Sequence, residues 1–415
     1  MEVSIMTEKK NPKLFTRNFT FLILGQISSL IGNFSMKFAL SMYILEQTGS
    51  ASVFAGLLAL AMLPTILLSP FGGILADRAN RRNIMAALDF LSGLSVLIAS
   101  FAVPSEHDIF AIGAPLLILS VLGAFESPTV QACIPQMLSG DNIIKGNAIV
   151  SQVTSIASLL TPFLGSIFYT VLGIRPVFYT TAICFFVTAF LECFIFLDHK
   201  KSPSKTKLSS VIKEDFSDSM RFLCRQQPGI LKLLLLAAFV SLFVTGTAVI
   251  GFPYLVRTVL GLSSNHYGIA ESAMGIASVS GSLLVVLLAK KIYSRHLCMV
   301  LVSFGICLIP CGIAFILPLK TLPRYLILLI MFCACQLGCS LFSTYAVSLI
   351  QSKTPEHLMG KVMSYVFTLS MCAQPAGQII YGALFDHFSD NVYFVLIPSG
   401  LLICLIGLLS RHFLD

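Results

Sequence analysis

Apolar residues fill runs of about 20 residues along the chain, broken by short polar turns, and the pattern recurs twelve times. A helix needs about that many apolar residues to cross a hydrocarbon core of about 30 Å. The predicted spans are 18–44, 51–74, 83–103, 110–135, 143–171, 176–197, 230–256, 265–289, 296–317, 324–350, 359–385 and 391–411. The pattern therefore predicts an all-α membrane protein with twelve transmembrane helices.

Polar residues inside these runs are few and periodic. In the first span Gln26, Ser29, Asn33, Lys37 and Ser41 recur every three or four residues and share one helical face. Lipid would reject that face, so it is expected to look into the bundle or a wet cavity, with snorkelling of Lys37 along its stem as the competing account. The third and fourth spans add Asp89, Glu126 and Gln131. Asp89, about two turns from its helix start, is expected to brace the preceding turn; Glu126 is deeper and suits either a functional carboxylate or a structural ion pair. Glu192, near a span end, is expected to snorkel. Ser241 and Thr245 mark the seventh span, and Gln336, Ser340 and Ser343 the tenth. Arg257 and Glu271 lie near span ends, where a gate or plain interfacial exposure would suit them.

The chain is 56% hydrophobic and 11% charged with a mean hydropathy of +0.89, which excludes a water-soluble globule of this length. If the N-terminus is inside, 22 of the 27 lysines and arginines fall in cytoplasmic segments and 4 outside, with Lys37 left within a span. Both termini are thus expected in the cytoplasm. The net charge of +8 is a topology signal, so no nucleic-acid partner is expected. Residues 1–17 lack the apolar core of a signal peptide, so the first span should be retained. The twelve cysteines show no metal-ligand spacing, and no metal or cofactor is expected. With no phosphate-binding glycine loop and no catalytic set, neither ATP hydrolysis nor any other enzyme activity is expected.

The polar segment Asp198 to Pro228 divides the chain, and its Leu208, Val211, Ile212, Phe216 and Leu223 suit an amphipathic helix lying on the inner surface. The second part echoes the first: Ser151 precedes Pro162 by eleven residues and Ser364 precedes Pro375 by eleven. The expected units are a cytoplasmic segment 1–17, a six-helix half 18–197, a linker 198–229 and a second six-helix half 230–415.

The turn after the second span reads Gly73-x-Leu75-Ala76-Asp77-Arg78-x-x-Arg81-Arg82. It resembles the signature of the major facilitator superfamily of secondary transporters, with Asn80 where that family usually has glycine. Gly73, Asp77, Arg78, Arg81 and Arg82 are then the conformational turn. Thr161-Pro162-x-x-Gly165 is weakly similar to the glycine-proline motif of drug/proton antiporters in that superfamily, lacking most of its glycines. Asn147-Ala148-x-x-Ser151, Phe222-Leu223-x-x-Gln226-Gln227-Pro228 and Gly360-Lys361-Val362-Met363-Ser364 resemble the macrolide-efflux-type bacterial branch. The resemblance implies a central cavity lined by spans one, four, seven and ten. Its substrate and proton candidates are Gln26, Asn33, Lys37, Glu126, Gln131 and Gln336.

It implies a multi-pass cell-membrane permease that exports a lipophilic or amphipathic small molecule; a monomer coupled to protons is expected, with Glu126 gaining and losing the proton and Lys37 setting its affinity. Import of a small polar solute, lipid flipping, and a receptor that kept a transporter fold remain the alternatives.

Overall fold

The computed structural model describes residues 14–102, 109–139, 141–197, 228–288, 294–354 and 356–414. Almost all of these residues are helical: α1 (Arg17–Thr48), α2 (Ala51–Arg78), α3 (Arg81–Ala102), α4 (Ile109–Met137), α5 (Asp141–Leu172), α6 (Ile174–Cys193), α7 (Pro228–Val259), α8 (Ser264–Leu288), α9 (Ser294–Ile316), α10 (Thr321–Lys353), α11 (Glu356–His387) and α12 (Tyr393–Leu414). Among the described residues nine helices are long and apolar enough to cross a membrane. The helices run several residues past the predicted spans at many ends; α10, for example, continues to Lys353. In hydrocarbon the backbone has no other way to satisfy its N–H and C=O groups, and the helix persists into the polar layer.

The helix ends follow local chemistry. The Thr16 hydroxyl caps α1 by accepting from the Phe19 amide at 3.2 Å, and Ser50 caps α2 by accepting from Val53 at 3.1 Å. Between them Gly49 takes φ 59°, a left-handed value that a side chain would disfavour, and its amide returns to the Leu45 carbonyl. The result is a two-residue reversal that makes α1 and α2 antiparallel.

Small residues set the closest packing, as expected where lipid gives no hydrophobic drive between helices. Helix α6 lies on α1 across Gly25 and Gly32: a Cβ on Gly32 would meet the Cys184 Cβ at 3.0 Å. At this seam Thr181 donates to the Gly32 carbonyl at 3.2 Å and Thr188 to the Gly25 carbonyl at 3.1 Å. On the other side of the molecule α9 meets α12 at Gly305 and Gly400, where a Cβ on Gly305 would approach the Gly400 carbonyl to 2.4 Å. Gly72, from the glycine pair ahead of the signature turn, brings α2 against α4 at the Ala124 carbonyl.

Helices α1–α6 pack extensively on one another, as do α7–α12; between the two sets the main packing is α2 on α11 and α5 on α8. Helix α7 is unusual. Its turns Thr245–Gly251 and Leu255–Val259 are π-helical, and Tyr381 and Phe385 of α11 lie against Gly246 and Gly251. Such widened turns are rare and are found frequently at functional sites.

Candidate functional site

A cavity of about 590 Å³ lies between the two sets of helices. Helix α1 supplies Asn33, Lys37 and Ser41, and α2 supplies Met62 and Thr65. Helix α4 contributes Ser120 and Gly123, the π-helical turn of α7 contributes Thr245, α8 contributes Tyr267 and Glu271, and α11 contributes Gln374 and Gln378. Phe34, Phe38, Phe54 and Leu58 supply an apolar wall. The cavity thus carries one cation, one carboxylate and several uncharged hydrogen-bonding groups on an otherwise apolar surface, the composition of a small-molecule site.

Lys37 and Glu271 come from opposite sets and form no ion pair with each other, while one Glu271 oxygen has no hydrogen-bond partner. The Tyr267 hydroxyl lies beside that carboxylate, and its ring stacks on Phe38 with centroids 5.4 Å apart. Lys37 is deep in its helix yet exposed, because its ammonium opens into the cavity.

Beyond Ser41, toward the end of α1, polar contacts join the two sets. The Arg257 guanidinium of α7 pairs with Glu46 at the end of α1, and Glu46 also accepts from the Tyr169 hydroxyl and, at 3.3 Å, from Ser264. Thr170 of α5 donates to Asn265 of α8 at 3.1 Å. Asp386 of α11 caps α2 from across the interface: it accepts from the Ser50 hydroxyl at 2.5 Å and from the amides of Ala51 at 2.6 Å and Ser52 at 2.9 Å. A carboxylate there meets both unsatisfied amides and the positive end of the helix dipole. Next to it Gly382 leaves no space, since a Cβ would stand 2.6 Å from the Ala55 Cβ and 3.0 Å from the Ala51 carbonyl.

Asp386 lies just past the predicted span 359–385. Burial alone would raise its pKa, but donors from Ser50, Ser52 and Ala51 outweigh that and hold the carboxyl below its usual value. A depressed carboxyl pKa contributes stability above the unfolded value and loses it as pH falls through the folded one. The clamp is therefore expected to stay shut through about pH 5 to 8 and to loosen only below the ordinary aspartate range. Spin labels at Gln47 and Asp390 should report a constant separation over that interval.

A second polar centre lies among α1, α3, α4 and α6. Asp89 of α3 and Glu192 of α6 are 0% and 1% exposed and lie against one another. Ser29 donates to Asp89 at 3.3 Å, and Gln26 lies beside Glu126 of α4, which is close enough to both other carboxyls to repel them. The stripe on α1 is thus divided: Gln26 and Ser29 face the carboxyls, whereas Asn33, Lys37 and Ser41 face the cavity.

Other candidates from the sequence fall elsewhere. Glu126 is one turn from the cavity-lining Gly123 but is not itself among the lining residues, and Gln131 is exposed. Gln336 does not line the cavity; its neighbour Ser340 hydrogen-bonds Ser282 at 2.6 Å and ties α10 to α8. Helices α2, α8 and α11 take the place that α10 was expected to fill. Glu192 does not snorkel, because α6 is drawn onto α1 by the glycine seam. Asp89, expected to brace the preceding turn, instead faces Ser29 and Glu192. Arg81 donates to the carbonyls of Ala76 and Ala132, and Arg82 to that of Cys193, tying the turn to α4 and α6. Gly73, Asp77 and Arg78 lie in α2, but their side chains are outside those described, as are the linker residues 198–227. Glu46 and Asp386 were not singled out from sequence.

A family model of the Major Facilitator Superfamily matches residues 22–378. The chain belongs to that superfamily. It is accordingly a multi-pass membrane transporter and not an enzyme, and its substrate is a small molecule. Macrolide efflux protein A of Streptococcus pyogenes is 24% identical over 389 residues, covering 92% of each chain. The multidrug efflux pump Tap of Mycolicibacterium fortuitum is 25% identical, covering 96% of this chain and 95% of its own. Among solved structures, a bacterial homologue of the iron transporter ferroportin in an inward-facing state superposes with a TM-score of 0.72 at 16% identity. It covers 95% of this chain and 98% of its own. The D-xylose-proton symporter gives a TM-score of 0.69 at 14% identity, covering 96% and 98%. At these identities the structural likeness bears on the fold alone.

Proposed function

We propose that this superfamily member is a secondary active transporter that exports a lipophilic or amphipathic small molecule in exchange for protons. Two six-helix halves, 18–197 and 230–415, rock about the central cavity as twelve membrane-spanning helices, with 198–229 as the connecting segment. The observation that carries this reading is a mostly apolar cavity lined by Lys37 from one set of helices and Glu271 from the other, with polar contacts crossing the interface beyond it. The excess of lysine and arginine at the other end supports an outward-facing clamp with both termini in the cytoplasm. In that orientation the clamp is the outer gate and the structure is closed to the exterior. The efflux proteins named above support export, and the apolar wall supports a lipophilic substrate. Glu126 carries the proton: it stands one turn from the cavity-lining Gly123 and keeps part of its surface open. Gly73, Asp77, Arg78, Arg81 and Arg82 form the turn that re-forms its contacts as the halves move.

In inside-out vesicles with an acidic lumen, a macrolide should accumulate against its gradient, and a protonophore should abolish the accumulation. Wild-type protein that leaves the macrolide at equilibrium under these conditions would contradict macrolide export. Import of a small zwitterion is the second reading, favoured by the opposite charges of Lys37 and Glu271 in one cavity. Uptake of amino-acid-like zwitterions into right-side-out vesicles, with no macrolide transport, would select it.

A further inference from the structure

Asp89 and Glu192 take no part in the cavity, yet each places a carboxyl group in the buried interior of the first six helices. We propose that they form a second proton-binding site, a carboxyl–carboxylate pair that holds one proton between its two members and exchanges it through Glu126. The inference deepens the proton-driven reading and rests on it for the role of the proton in transport, but the site's existence can be measured without any substrate.

Three observations carry it. The two residues come from different helices, are buried almost completely, and lie against each other. One oxygen on each, Oδ2 of Asp89 and Oε2 of Glu192, has no hydrogen-bond partner. Two ionised carboxylates offer only acceptors, so a bare pair would leave both oxygens unmatched and set like charges together without water. One added proton converts the contact into O–H···O⁻ and gives an oxygen of each carboxyl a partner, as two carboxyls sharing a site do in general.

The surrounding elements supply few competing charges. From α1 come the uncharged Gln26 and Ser29, and from α6 Thr188, which is engaged with α1. From α4 come Glu126, which adds a further negative charge, and the thiol of Cys133. Arg81 of α3 lies near Cys133 and is committed in part to the carbonyls of Ala76 and Ala132, and Arg82 of α3 donates to the carbonyl of Cys193, the residue after Glu192. Of the three carboxyls Glu126 alone is partly exposed, which makes it the point of entry. The exchange balances as protonated Glu126 plus the doubly ionised pair giving ionised Glu126 plus the singly protonated pair, with no bond to carbon changed. The pair would let the transporter keep a proton out of reach of water while Glu126 empties and refills.

The test is infrared difference spectroscopy of the purified protein in lipid, perturbed by a pH jump alone, in H₂O and in D₂O. Wild type should show a protonated-carboxyl C=O band that shifts in D₂O, and D89N and E192Q should each lose that same band, because one proton belongs to both residues. Either asparagine or glutamine can donate to the remaining carboxylate and so keeps the contact. Retention of the band in either variant, or loss of two different bands, would overturn the proposal. S29A keeps both carboxyls and removes only the hydroxyl on Asp89, so it should move the band without abolishing it, and an unmoved band would also overturn the proposal. In vesicles D89N should lose pH-driven macrolide accumulation and keep macrolide exchange. A protein that shows the shared band but moves no macrolide would refute macrolide export and leave the proton site standing.

Discussion

Glu126→Gln is expected to uncouple the transporter. One proton moving down a one-unit pH gradient supplies about 1.4 kcal/mol, enough for about tenfold accumulation of a neutral solute exchanged one for one. Glutamine keeps the size and the contact with Gln26 but binds no proton, so the variant should still catalyse exchange of labelled for unlabelled macrolide while accumulation falls to none. Tracer accumulation and exchange, compared in the same vesicles, separate the two activities. Wild-type accumulation in the variant would remove Glu126 from the proton path.

The second large effect is expected at the outer gate. Gly382→Leu puts a branched side chain where even a Cβ meets Ala55 and the Ala51 carbonyl, so α2 and α11 must separate. Overpacking of this kind costs about 1–3 kcal/mol, and because the cost falls only on the closed state it should shift the conformational equilibrium by about 5–150-fold towards outward opening. Spin labels at Gln47 and Asp390 in a cysteine-free background should show a longer distance population. An unchanged distance distribution with normal folding would mean that the α2–α11 contact does not hold the closed state.

The parts of the molecule that could be read from sequence are those fixed by local pattern. The apolar runs and the three-to-four spacing on α1 are set by the width of a bilayer and the pitch of a helix, and both are properties of short stretches. The Gly72 contact could be foreseen for the same reason: a glycine near a helix end implies a close neighbour. What that neighbour is could not be foreseen, and the site depends on neighbours. The α1 stripe divides between a carboxyl cluster and the cavity because Gly25 and Gly32 draw α6 onto part of that face. The same seam buries Glu192, which a position near a span end had suggested would reach outward.

Glu46 and Arg257 are 211 residues apart, and no periodicity links them. Asp386 gains its role from the free amides at the start of α2, which a composition count does not reveal. The stripe on α10 is used in part for packing on α8, since Ser340 finds Ser282. The π-helical turns of α7 had a faint signal in Gly246, Gly251 and Pro253, residues that relax or interrupt a regular helix.

The account depends most on the cavity being open to one side of the membrane at a time. A single cysteine at Asn33, in a background without other cysteines, can be tested with a membrane-impermeant thiol reagent applied from either side. Labelling is expected from the cytoplasmic side alone in the resting protein, and from the exterior once Gly382→Leu is added. A cysteine reached from both sides at once, or from neither, would contradict an alternating-access passage through this cavity.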